Sequence, residues 1–110
     1  MSIEQSEVVD FIGTDKVTGS VTLVISDHLD WSDEHTHLVL LQDKINSYLR
    51  FIESGEITEA FPQAVGKKVE IEIVGKYELV AAGEDFLVEA GQIVRRAGFS
   101  LRFRRLQVPE

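Results

Sequence analysis

The hydrophobic and polar positions along the chain switch between two periods. Residues 8–14, Val-Val-Asp-Phe-Ile-Gly-Thr, read as a strand. In residues 20–26, Val21, Leu23 and Ile25 alternate with Ser20, Thr22 and Ser26, the period of two of a half-buried strand. Asp15 to Gly19 between them reads as a tight turn, with Asp15 capping and Gly19 free to take a positive φ, so the two strands form a hairpin. After a polar break at 27–32 the period lengthens. Leu38, Leu41, Ile45, Tyr48, Leu49 and Ile52 form one apolar stripe of a helix that runs to about Ser54, with Gly55 as its left-handed stop. Asp30 or Ser32 is the expected N-cap, and Asp33 and Glu34 suit the positive end of the helix dipole. Residues 56–68 read as a loop. Residues 69–73 alternate as a third strand reaching to about Lys76. Phe86, Leu87, Ala90, Ile93, Val94 and Ala97 give one face of a helix over 84–97, and 99–104 close the chain as a fourth strand.

The order β-β-α-β-α-β predicts an α/β chain of the two-layer α+β sandwich kind. Right-handed crossovers put two helices on one face of a four-stranded mixed sheet, ordered 1-2-3-4 with strand 1 antiparallel to the rest. Alternation in the strands predicts that the other face is open to solvent. There Glu70 and Glu72 stand opposite Arg102 and Arg104 as a cross-strand charge ladder.

Composition narrows the function classes. A chain of 110 residues, 44% hydrophobic and 27% charged, fits one soluble domain spanning 1–110. No apolar run approaches the roughly 20 residues of a spanning helix, and the start of the chain has no apolar signal core, so a cytoplasmic protein without membrane contact is expected. Without cysteine there is no disulfide, thiolate metal site or cysteine nucleophile. Nineteen acids against eleven bases give a formal charge of −8, the opposite of a phosphate-backbone binder. Five bases, Arg95, Arg96, Arg102, Arg104 and Arg105, do gather near the end of the chain. Helix-end and ladder roles account for four of them, and no nucleic-acid partner is expected.

The rare residues concentrate in one stretch. The single tryptophan, Trp31, and all three histidines lie between positions 28 and 37, among Asp27, Asp30, Asp33 and Glu34. This is the exit of the second strand, where α/β sheets favour ligand sites. Asp27, His28, Asp30, Trp31, Asp33 and Glu34 are therefore the candidate binding residues. His35 and His37 point about 200° apart on a helix and cannot share one ion, so no metal and no cofactor is expected. An enzyme reading would use Asp27, His28 and Asp30, with His28 oriented by Asp30, although no nucleophile motif accompanies them. Against it stands a structural reading, in which these side chains tie down the strand-to-helix turn, imidazoles stay exposed and Trp31 staples the helix start to the core. Gly91 breaks the second helix pattern and suggests close packing on the sheet. Leu40 and Phe51, with Lys44 and Ser47 between them, form a second apolar line on the long helix and a candidate homodimer surface.

The runs I-S-D-H-L-D-W from Ile25, H-L-V-L-L-Q-D-K-I-N-S-Y-L from His37 and F-I-E-S-G-E-I from Phe51 resemble a bacterial family of small uncharacterised proteins, known only as a domain of unknown function. The Asp15–Gly19 turn fits the same pattern, and the resemblance covers Val8 to Phe103. It implies no catalytic residue and a bacterial cytoplasmic setting. Charge and motif content together lead to the expectation of a small acidic protein-interaction module, immunity-type or accessory. The alternatives are a small hydrolase or metal-dependent enzyme, and a homodimeric structural protein.

Overall fold

The computed structural model describes Ile3 and residues 9–106. The chain runs β1 (Phe11–Thr14), β2 (Val21–Asp27), α1 (Glu34–Glu53), α2 (Glu56–Ala60), a 3₁₀ turn (Pro62–Ala64), β3 (Val69–Gly75), α3 (Ala81–Arg96) and β4 (Ser100–Arg105). The sheet order is β1-β2-β3-β4, with β1 antiparallel to β2 and the β2–β3 and β3–β4 pairs parallel. This is the predicted mixed α+β sheet. Among the described residues no helix is long and apolar enough to cross a membrane.

Period-two alternation puts Val21, Leu23 and Ile25 of β2 and Val69, Ile71 and Ile73 of β3 on the covered face. They join Leu41, Ile45, Tyr48 and Leu49 of α1 and Ala90 and Val94 of α3 in the core, which Ile3 also enters, fully buried. The opposite face carries the charge ladder. Arg102 Nε lies 2.7 Å from Glu72 Oε2, Arg102 reaches Glu70 at 3.6 Å, and Arg104 reaches Glu72 at 3.4 Å. The hairpin turn also forms as predicted. The Asp15 carboxylate accepts from the N–H groups of Val17 and Thr18, and Gly19 sits at φ 76°.

Several boundaries differ from the sequence expectation for identifiable reasons. β1 begins at Phe11, and just before it side chains take the place of the ladder, with the Ser26 N–H donating to the Asp10 carboxylate at 2.9 Å. The Tyr48 hydroxyl also binds there, accepting from the Asp10 N–H at 2.9 Å and donating to the Val24 carbonyl at 2.6 Å. The expected strand start at Val8 lies outside the described residues. α1 is capped by Asp33, not by Asp30 or Ser32, through Thr36 N–H at 3.1 Å. The 56–68 segment is not all loop, since Gly55 at φ 86° turns the chain directly into α2, whose Ile57 is buried. α3 starts at Ala81, three residues early, and its first turn places Gly83 close against Trp31. β2 and β4 are each shifted one residue towards their C-terminal ends.

Several residues also sit elsewhere than predicted. Lys44 is fully buried under α1 and does not lie on an outer line with Leu40 and Phe51, which are themselves half-buried against the core. Ile93 is 57% exposed and lines a groove between α1 and α3, and Ala97 is exposed rather than part of the buried face. Gly91 does not pack on the sheet, because a Cβ added there would meet nothing within 4 Å. Gly91→Ala should therefore raise the stability of the dilute protein by about 0.5–1 kcal/mol, the helix-propensity difference, seen as a higher midpoint in thermal denaturation. A fall in midpoint would show that the glycine is needed within the monomer.

Candidate functional site

β2 and β3 end side by side, and both following helices begin above those ends. The chain leaves β2 at Asp27 and reaches α1 through three aspartates, each folding its carboxylate back onto nearby groups. Asp27 Oδ1 accepts from Leu29 N–H at 3.2 Å. Asp30 Oδ1 accepts from the N–H and hydroxyl of Ser32 at 3.1 and 2.6 Å. Asp33 accepts from the N–H and hydroxyl of Thr36 at 3.1 and 2.8 Å. Aspartate favours such local turns because its short side chain reaches backbone donors two or three residues on.

The partner that closes this segment is His37. Its Nδ1 lies 2.9 Å from the Asp30 carbonyl, and its Nε2 lies 2.5 Å from Asp27 Oδ2. A carbonyl only accepts, so Nδ1 carries a proton and donates it. The imidazole is thereby oriented, and Nε2 faces a carboxylate with one proton held between them. Both residues are buried, His37 at 1% and Asp27 at 4% exposure. Trp31 lies flat on the imidazole, with ring centroids 3.7 Å apart and planes at 20°. The far edge of the indole reaches α3, where a Cβ at Gly83 would come within 3.0 Å of it. The Asp27 carbonyl also accepts from Lys76 N–H at 2.9 Å, joining the end of β2 to the chain leaving β3. One cluster thus fastens β2, the β3 exit and the first turns of both long helices.

A second buried polar pair lies further along the same face of α1. His37, Leu41, Lys44 and Tyr48 follow at helical spacing and all are buried. Lys44 Nζ lies 3.0 Å from Asp10 Oδ1 and 5.5 Å from the centre of the Tyr48 ring. Asp10 Oδ2 accepts from Ser26 N–H at 2.9 Å. The Tyr48 phenol is pushed up from its ordinary value by burial, against a smaller opposing effect of the Asp10 N–H bond. It therefore supports the fold fully below about pH 10, where an unfolded tyrosine is still neutral, and that support is lost as pH rises beyond it. In a Tyr77→Phe variant, phenolate absorbance should appear only together with alkaline unfolding followed by circular dichroism. Phenolate appearing well before unfolding would contradict the buried placement.

The candidate residues thus separate into two sets. Asp27 is internal and pairs with His37, although the sequence groups it with His28. The expectation of exposed imidazoles fails at His37, a buried member of the site outside the predicted set. Its signal was position: His37 stands one turn before Leu41 on the buried face. Trp31 is half-buried and packed against the core, as the staple reading expected. His28, Asp30, Asp33 and Glu34 are exposed, and so are Glu84 and Asp85, which follow Gly83 on α3. The hydroxyl of Ser32 holds the Asp30 carboxyl below the usual range, helped by the Ser32 N–H, and the Thr36 hydroxyl and N–H do the same for Asp33. Both are fixed anions near neutral pH. Among the described residues, no three histidine or carboxylate side chains are grouped as metal ligands.

Fold and cluster together define a small two-layer α+β domain whose distinctive residues form an internal joint beneath an acidic rim. A family profile matches residues 1–107, and the chain belongs to that family, DUF6572, a family of unknown function. No curated protein and no solved structure matches the chain.

Proposed function

We propose that this protein is a protein-interaction module of the immunity-type or accessory kind, which recognises a basic surface on a partner through the rim formed by Asp30, Asp33 and Glu34 around Trp31. The observation that carries this reading is the state of the rim carboxylates. Asp30 and Asp33 are exposed, held as anions by their own hydrogen bonds, and anchored on a buried joint. Charges fixed before binding lose little conformational freedom on association, and complementary charge speeds encounter and selects partners. The formal charge of −8 adds a long-range field of the same sign.

The test is quantitative affinity capture from a lysate of the source organism, comparing the wild type with an Asp30→Asn, Asp33→Asn, Glu34→Gln variant at low and high salt. Asparagine keeps the acceptor of each turn and is itself a good N-cap, so the fold is retained. The reading requires a stoichiometric partner that is lost from the variant and weakened by salt. A partner held equally by both proteins, or no partner at all, would overturn it.

A further inference from the structure

We propose that α3 carries a self-complementary stripe through which two copies of this chain pair as an antiparallel, two-fold dimer. The stripe is Glu84, Val88, Gly91 and Arg95, separated by four, three and four residues. At about 100° per residue these four share one flank of the helix. The core residues Ala90 and Val94 point elsewhere, and the groove residues Phe86, Glu89 and Ile93, which face α1, lie on the opposite flank. The stripe is therefore the side of α3 turned away from α1. Among the described residues no element covers it: Val88 is 64% exposed, and a Cβ at Gly91 would meet nothing within 4 Å.

The order of residue types makes the flank complementary to itself. A two-fold axis midway between Val88 and Gly91 sets Val88 against the partner subunit's Gly91, a knob against a position with no side chain. The same axis sets Glu84 against the partner subunit's Arg95, and each contact occurs twice, as an isologous interface demands. Among the described residues, neither Glu84 nor Arg95 takes part in an ion pair within the chain. The helix dipole accounts for an acid at the start of α3 and a base at its end. It does not account for an exposed valine, or for a glycine in mid-helix that lowers helix propensity and is not pressed by any of the described residues. Both follow if a second α3 lies there, since the glycine permits a short interaxial distance. One helix pair makes a small interface, so the dimer is a weak, concentration-dependent one. This surface is distinct from the acidic rim proposed above.

Sedimentation equilibrium on the full chain tests this across a concentration series at low ionic strength. The expected result is a reversible monomer–dimer equilibrium. Glu84→Arg and Arg95→Glu should each weaken it about tenfold or more by placing like charges together, and the double reversal should restore it. Gly91→Leu should abolish it while circular dichroism shows the helix content unchanged. Because Glu84 and Arg95 are exposed, the charge reversals leave the monomer fold intact and decide the matter even if Gly91→Leu perturbs α3. A protein that stays monomeric at its highest soluble concentration would overturn the proposal. So would a dimer indifferent to these changes, which would place the contact elsewhere, as on Leu40 and Phe51, or single reversals that the double reversal does not rescue.

Discussion

Replacing Lys44 with methionine is expected to lower the unfolding free energy by about 3–5 kcal/mol, the usual cost of leaving one member of a buried ion pair without its partner. Lys44 is fully buried and Asp10 nearly so, with 3.0 Å between Nζ and Oδ1. Methionine fills the space of the lysine stem but leaves the Asp10 carboxylate facing an apolar wall. Against a total stability of about 5–15 kcal/mol for an ordinary domain, this is a large fraction. The expected remedy is specific. Adding Asp10→Asn removes the orphan charge while keeping an oxygen to accept from Ser26 N–H, so the double variant should regain much of the loss. Urea denaturation of the four proteins of the cycle gives the coupling energy directly. Additive losses would show that Lys44 and Asp10 act independently, against the geometry.

The second large effect is expected at His37. His37→Ala removes the Nε2 partner of a buried carboxylate and the ring on which Trp31 rests, and should cost about 3–5 kcal/mol. Asp27→Asn should cost far less. An asparagine amide can donate to Nε2 of a neutral imidazole whose Nδ1 still donates to the Asp30 carbonyl, and its oxygen can still accept from Leu29 N–H. Because Trp31 is the only tryptophan, its fluorescence reports the joint without other contributions. The emission of His37→Ala should shift to the red and that of Asp27→Asn should stay close to wild type. Equal losses in the two variants would mean that the charge, and not the hydrogen-bonded geometry, holds the segment.

The layout of the sheet was legible because it rests on local pattern. Alternation at Val21, Leu23 and Ile25 and again at Ile71 and Ile73 gave the strands, the helix stripes gave the crossovers, and handedness gave the strand order. The ladder of Glu70 and Glu72 with Arg102 and Arg104 follows from that order alone. What was not legible depends on contacts distant in sequence. Lys44 reads as a surface residue until Asp10 is brought to it across 34 positions. His37 reads as a solvent-facing imidazole until β2 delivers Asp27 beneath it. Charged groups in a core are exceptions to burial rules, made tolerable only by partners that folding supplies. The location of the candidate site was readable from its rare residues. Its division into an internal set (Asp27, His37) and an exposed set (Asp30, Asp33, Glu34) was not, because neighbours in sequence here point to opposite sides of the molecular surface.

The central claim is that the Asp27–His37–Trp31 cluster is a closed joint rather than a site of chemistry open to solvent. Long-range proton–nitrogen correlation spectra of the histidine rings, recorded near neutral pH, test it most directly. The account predicts a His37 ring whose Nδ1 carries a proton that exchanges slowly with water, beside a freely exchanging ring at exposed His35. A His37 Nδ1 without a proton, or ring protons that exchange as fast as those of His35, would contradict it.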